Sequence, residues 1–151
     1  MFNDLTWKDG EKKVQEFMKR VGYKILVTNY SCVGVELDIV AILPRRKQIK
    51  DAKNDYKNKI KEANKETKYL LKKSMKNYLK TLKDILVITE VKARSSEKFG
   101  IGADAIGSVK MNNILRGAKY LQTDNKLSKY PLRFDVESVD NGKITYIEGA
   151  F

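Results

Sequence analysis

The sequence contains no histidine and a single cysteine, Cys32. Without histidine, the chain cannot assemble a Ser-His-Asp or Cys-His nucleophile. A lone thiol cannot form an internal disulfide, and without imidazole it cannot anchor an ordinary zinc site. We therefore expect Cys32 to be a small core residue. Any catalysis must depend on carboxylates, lysine, tyrosine or a metal ion held by oxygen ligands.

Long apolar runs are also missing. No stretch approaches the roughly 20 apolar residues that a membrane-spanning helix requires, and residues 1–13 lack the apolar centre of a signal peptide. These features, with the single cysteine, favour the reducing cytoplasm and no membrane association. The chain has 151 residues, 42% hydrophobic and 33% charged. This length and composition predict one folded domain, residues 1–151, with a substantial core.

Positive charge is concentrated in one segment. Residues 44–83 hold 15 basic and 4 acidic residues, so they carry +11 of the net charge of +12. Such local charge attracts a polyanion such as nucleic acid without regard to its sequence, and the alternative is a solvated helical surface. The candidate nucleic-acid contacts within this segment are Arg45, Arg46, Lys72 and Lys73.

The same segment is predicted to be helical, because apolar residues recur every three or four positions with no glycine or proline after Pro44. One helix of about 35 residues would extend about 50 Å. Short connections favour two antiparallel helices with a bend near residues 64–67. We expect the apolar stripe to pack helix on helix, and burial between subunits of a homo-oligomer is the alternative. Tyr56, Tyr69 and Tyr78 either pack in this stripe or stack on bases.

The rest of the chain alternates between helical and extended patterns. Its order is α-β-β, then the lysine-rich segment, then β-α-β-β, which predicts an α/β fold with a layered sheet. The predicted helices outside the lysine-rich segment are 9–21 and 103–123, and the predicted strands are 23–30, 35–43, 84–93, 132–139 and 143–150.

Two acidic residues interrupt the second predicted strand. Side chains alternate across a strand, so Glu36 and Asp38 are expected to share one face with Val40, while Leu37 and Ile39 take the other.

The third strand ends in a similar way, with Glu90 and Lys92 on the face of Leu86 and Ile88. If the strands are neighbours, carboxylates and one ammonium converge on the sheet. Carboxylates alone would raise each other's pKa, a conflict that a divalent cation removes. Lys92 could then orient water or stabilise charge on a phosphate. The alternative is a simple strand ion pair worth under about 1 kcal/mol.

Taken together, these motifs resemble the UPF0102 (YraN-like) family of the restriction-endonuclease-like, PD-(D/E)xK group. The resemblance covers nearly the whole chain except residues 44–83, which look like a lysine-rich helical insertion between the second and third strands. The matching positions are Gly10-Glu11, Gly22-Tyr23, Asn29, Glu36-Leu37-Asp38-Ile39-Val40, Glu90-Val91-Lys92-Ala93-Arg94, Phe99-Gly100, Lys110, Arg133-Phe134-Asp135-Val136 and Ala150-Phe151.

The resemblance implies a central mixed β-sheet flanked by helices and a metal-dependent nuclease acting on DNA. It implies that Asp38 and Glu90 bind Mg²⁺ or Mn²⁺, that Lys92 is the catalytic lysine, and that Glu11 reaches in from the first helix as a further ligand. Glu36 is an assisting candidate. A non-catalytic nucleic-acid-binding protein that retains the fold is the alternative.

Basic residues outside the lysine-rich segment are weaker candidates. Arg94 and Lys110, with Arg116, could contact phosphate or be solvated. Arg133 and Asp135 share a strand face and are predicted to form a structural ion pair.

Overall fold

The structure is a computed structural model that describes residues 7–94, 107–140 and 142–151. The element order and the α/β class are those predicted from the sequence, although the predicted start of the last helix, at 103, lies outside the described residues. The elements are α1 (Trp7–Val21), β1 (Lys24–Cys32), β2 (Val35–Leu43), α2 (Arg45–Glu62), α3 (Lys65–Thr81), β3 (Ile85–Arg94), α4 (Ser108–Asp124), β4 (Leu132–Asp140) and β5 (Lys143–Ile147).

The described residues contain five strands, which form one mixed sheet in the order β1-β2-β3-β4-β5. Three of the four strand pairs are antiparallel, and β3 pairs with β4 in parallel. The parallel pair follows from the connection, because α4 carries the chain back to the start of β4. The predicted hairpin at the end of the chain is confirmed, with β5 ending at Ile147 rather than at 150.

Helices cover both faces of the sheet and give it two hydrophobic cores. Val14 and Met18 of α1 are fully buried against one face. Ile114, Ala118 and Leu121 of α4 are buried against the other. The central strands β2 and β3 contribute to both cores, which explains their nearly continuous runs of apolar residues.

The alternation predicted for β2 is wrong at its centre. Leu37 lies in the core under α4, whereas Ile39 lies in the core under α1. Opposite this point, between the pairs Thr28–Ile39 and Tyr30–Leu37, Asn29 of β1 has a φ of 51°. A left-handed residue turns the paired strands locally, so the alternation shifts by one residue at Asp38.

Helices α2 and α3 form a hairpin between β2 and β3, and we call residues 45–81 the helical hairpin. The helices are antiparallel, because Arg45 at the start of α2 donates to carbonyls at the end of α3. The break at Ala63 and Asn64 is close to the predicted bend, and Asn64 caps α3 by accepting from the N–H of Thr67 at 2.9 Å. No residue of α2 or α3 is buried. That this hairpin is an insertion into the family's fold remains a prediction.

In the described parts of the chain, no helix combines the length and apolar content needed to cross a bilayer.

Candidate acidic site on the central sheet

Asp38 lies where β2 separates from β3. The pairing of these strands runs from Leu43 and Ile85 to Ile39 and Thr89, and Asp38 is the first residue of β2 beyond it. The half-buried carboxylate of Asp38 instead accepts the backbone N–H of Val91 at 2.8 Å, which satisfies a donor that strand pairing leaves unused. The bend at Asn29 and the end of strand pairing therefore turn Asp38 toward the backbone of β3.

Burial raises the pKa of Asp38 well above its ordinary value, and the negative charges of Glu90 and Glu11 raise it further. The N–H of Val91 and the ammonium of Lys110 act in the opposite direction. Acids on two other elements are thus near enough to influence Asp38 electrostatically.

Glu90 is 6% exposed, and its carboxylate forms an ion pair with the ammonium of Lys110 on α4. This contact agrees with the predicted face of Glu90, since Leu86 and Ile88 also lie in the core under α4. Lys110 is one of the phosphate contacts predicted from the sequence. The structure instead places it beside a buried acid of the site, and its contact with nucleic acid stays a prediction.

Glu11 reaches the site from the opposite face of the sheet. It lies one turn before Val14 on the buried side of α1 and is 7% exposed. Burial raises the pKa of Glu11 above its ordinary value. The hydrogen bond with Asn29 acts in the opposite direction, whereas the negative charges of Glu36 and Glu90 raise the pKa further. The prediction that Glu11 points inward from the first helix agrees with this position.

Asn29 links two of these acids. With its amide oriented to pair donors with acceptors, Asn29 donates to Glu36 at 3.0 Å and to Glu11 at 3.3 Å. Glu36 itself is exposed. Asn29 matched the family pattern but received no role from the sequence. The available signal was a polar residue type that tolerates positive φ in the middle of a strand.

Lys92 follows Glu90 by two residues on β3 and is half-buried, in register with Ser138 of β4. Strand alternation places it on the same face as Glu90. Arg94 ends the strand, and its side chain lies outside the described residues.

The site offers carboxylate oxygens as ligands for a metal ion. Within residues 7–94, 107–140 and 142–151, no three His, Cys, Asp or Glu side chains lie close enough together to hold an ion. Mg²⁺ is commonly held by only one or two carboxylates, with waters and substrate phosphates completing its shell. The oxygen donors of Asp38 and Glu90 fit that chemistry, whereas Glu11 as a third ligand remains a prediction.

The basic candidates of the helical hairpin differ in their contacts. Arg45 donates its backbone N–H to Asp84 at 2.6 Å and its guanidinium to the carbonyls of Leu82 at 2.9 Å and Leu79 at 3.2 Å. This side chain thus ties α2 to the end of α3. All four candidates are exposed, and their contact with nucleic acid stays a prediction: Arg45, Arg46, Lys72 and Lys73.

A second polar cluster lies on the α1 side of β4. Asp135 is fully buried and accepts two hydrogen bonds from Arg133, at 2.8 and 2.6 Å, which confirms the predicted ion pair. The hydroxyl of Tyr146 and the N–H of Gly149 also donate to Asp135, and Arg133 donates to Tyr23. These bonds satisfy the buried charge, so this cluster is structural.

Glu137, two residues further along β4, is fully buried. Neither of its carboxyl oxygens has a hydrogen-bond partner among the described residues. Burial, with a smaller effect of Asp135, raises the pKa of Glu137 to about 8. No role was predicted for this buried acid, although two acids spaced two residues apart on β4, Asp135 and Glu137, were a visible signal.

Cys32 is half-buried, and its thiol donates weakly to the carbonyl of Gly117 at 3.6 Å. Burial raises the pKa of the thiol, which disfavours the reactive thiolate. Cys32 therefore contacts α4 without belonging to either buried core, so the prediction of a core residue is wrong.

The fold and site define an α/β protein whose mixed sheet gathers buried carboxylates where its second and third strands separate. The chain belongs to the uncharacterised protein family UPF0102, whose family model matches residues 10–139. The resemblance to UPF0102 drawn from the motifs is therefore confirmed.

Individual relatives match over most of the chain. A UPF0102 protein of Clostridium acetobutylicum is 29% identical over 148 residues, covering 94% of this chain and 89% of that protein. One from Caldicellulosiruptor saccharolyticus is 31% identical over 130 residues, covering 86% and 77%. One from Thermodesulfovibrio yellowstonii is 29% identical over 144 residues, covering 95% and 93%.

Proposed function

We propose that this protein is a metal-dependent nuclease of the restriction-endonuclease-like, PD-(D/E)xK type that hydrolyses phosphodiester bonds of DNA. The observation that carries the proposal is the cluster of acids from three elements, in which the charges of Glu90 and Glu11 raise the pKa of a half-buried Asp38. Acids that destabilise one another at one place on a sheet are typical of functional sites.

Each residue of the site has a proposed role that follows from its position. Asp38 is held by the N–H of Val91, and together with Glu90 it would bind Mg²⁺ or Mn²⁺. When bound, the cation lowers the pKa of a water molecule and offsets the charge of the scissile phosphate. Lys92, on the face of Glu90, orients the attacking water and stabilises developing negative charge. Glu11 and Glu36, joined through Asn29, assist from the side of α1.

The helical hairpin supports DNA as the substrate. Most of the positive charge of residues 44–83 lies on its two helices. No residue of either helix is buried, so this charge lies at the surface. Lysines that neutralise phosphates release counterions, so binding through this surface becomes weaker as salt is added.

Cleavage assays test the chemistry. Wild-type protein and the variant Lys92→Ala are compared on duplex, single-stranded and branched DNA with Mg²⁺, with Mn²⁺ and with chelator. We expect cleavage that requires the cation and falls by roughly 100-fold or more in the variant. The matched control is Lys126→Ala, an exposed lysine after α4. Equal cleavage by wild type and Lys92→Ala would contradict the role of Lys92.

A second function is favoured by the contact of Glu90, whose carboxylate already forms an ion pair with the ammonium of Lys110. A non-catalytic nucleic-acid-binding protein with this fold would bind without added cation, and its affinity would survive Asp38→Ala. Cation-dependent cleavage that Asp38→Ala abolishes would exclude it.

A further inference from the structure

One side of helix α3 is an exposed surface with a tyrosine and three lysines in a row. Tyr69, Lys73, Lys76 and Lys80 follow each other at intervals of four, three and four residues, which places them on one side of a helix. All four are exposed, and Tyr69 is 67% exposed. We call these four residues the α3 face.

The lysines of the α3 face form no ion pair with another described residue, although Glu66 lies on the same side of α3, one turn before Tyr69. Two ion pairs lie within the helical hairpin, and both are on α2: Lys47 with Asp51 and Lys59 with Asp55. Among the ion pairs found in the described residues, none uses a lysine of α3. The lysines of α3 are therefore available to an external anion.

The three tyrosines of the helical hairpin have different surroundings. Tyr56 is half-buried, its hydroxyl bonds to Ser74 at 3.1 Å, and the ammonium of Lys59 lies 5.6 Å from its ring centre. Tyr78 follows Tyr69 by nine residues, or two and a half helical turns. It lies on the opposite side of α3 and lines a groove that Phe17 of α1 also lines. Tyr78 is also exposed, at 48%, but of these two tyrosines only Tyr69 has a lysine four residues away, the spacing that places two side chains next to each other on a helix.

We infer that the α3 face binds single-stranded nucleic acid, with the ring of Tyr69 stacking on a base and Lys73, Lys76 and Lys80 contacting phosphates. An exposed aromatic ring beside a row of lysines suits a single strand, because its bases are available for stacking, whereas duplex bases already stack on each other. A second copy of this chain fits the surface poorly, since two hairpins of high positive charge repel. The inference rests on the proposed function only in taking nucleic acid as the partner.

The test measures binding by the full-length chain, in chelator, to fluorescent oligothymidylate and to a DNA duplex of the same length. We expect Tyr69→Ala to weaken single-strand binding by at least about fivefold and Tyr69→Phe to retain it. Duplex binding should change little in either variant. Lys76→Ala should weaken both and reduce the slope of log affinity against log salt by about 1. Tyr78→Ala, on the opposite side of the same helix, is the matched control and should bind as wild type does.

The outcomes separate this inference from the proposed nuclease. If Tyr69→Ala binds single strands as tightly as wild type does, the stacking role of Tyr69 is wrong. The proposed nuclease, which is tested by cleavage that depends on Lys92, would not be affected. If wild-type protein binds neither the single strand nor the duplex, both the inference and the role of the helical hairpin in binding nucleic acid are overturned. A solution mass above one chain that Tyr69→Ala reduces to a single chain would assign the α3 face to self-association and overturn the inference. Circular dichroism of each variant verifies that α3 remains folded.

Discussion

At the residue scale, the buried acid Glu137 makes stability depend on pH, as does Asp38, whose pKa is also raised. Its folded pKa, about 8, lies above the ordinary value of a glutamate in the unfolded chain. Between those two values the folded state keeps a proton that the unfolded state releases. The stability associated with this proton is therefore complete in acid and is lost as the pH rises toward 8.

Replacing Glu137 tests this relation. We expect the wild-type free energy of unfolding, measured with urea, to fall between pH 5 and pH 8 by an amount on the order of a few kcal/mol. Glu137→Gln keeps the shape without the charge, so its fall should be smaller, and the raised pKa of Asp38 accounts for a fall that remains. Asp124→Asn, at an exposed carboxyl of α4, is the control and should keep the wild-type slope. An equally steep fall in Glu137→Gln would mean that other groups cause the pH dependence.

At the element scale, α4 determines the geometry of one side of the acidic site. Gly117 lets this helix approach β2 closely, since a Cβ there would lie 3.2 Å from Val35 and 3.4 Å from Leu37. The same helix carries Lys110, which pairs with Glu90. Packing at Gly117 therefore influences where Lys110 lies.

A larger residue at this position should separate the helix from the sheet. We expect Gly117→Leu to lower the free energy of unfolding by about 1 to 3 kcal/mol or more, because the side chain must overpack a filled core. Denaturant titration measures this loss. Lys119→Leu places the same side chain on the exposed side of α4 and should change stability by about 0.5 kcal/mol or less. Equal stability of the two variants would contradict the tight contact between α4 and β2.

Elements also show what sequence periodicity can and cannot predict. The apolar repeats predicted helices and strands in the right order, and the limits of β2 agree with the prediction. They did not predict the shift of alternation between Leu37 and Ile39. That shift depends on the backbone conformation of Asn29 in a neighbouring strand, which no pattern within β2 contains.

At the scale of the whole molecule, the helical hairpin concentrates the charge and is joined to the sheet at closely spaced ends. Leu43 of β2 pairs directly with Ile85 of β3 on either side of it. A two-residue Asn-Gly turn can join an antiparallel pair at such a position. The sheet can therefore close without residues 44–84.

Replacing residues 44–84 by Asn-Gly should leave a folded protein whose binding to nucleic acid is weaker and less dependent on salt, because most of the net charge is removed. Fluorescence anisotropy over a range of salt concentrations measures both changes. Light scattering of the two proteins tests whether the hairpin joins subunits, and a mass of one chain for both would end that alternative. Affinity and salt slope equal to those of the full chain would contradict the hairpin's role.

The sequence by itself determined the family, the order of elements, the position of the charge and the principal acids of the site, Asp38 and Glu90. Each of these depends on local periodicity, composition or short motifs. Only the tertiary structure decided that Lys110 pairs with Glu90, that Asn29 joins Glu11 to Glu36, and that Glu137 is buried without a partner. These contacts join residues far apart in the chain, so they depend on strand register, a local bend and helix packing, which arise only when the whole sheet has formed.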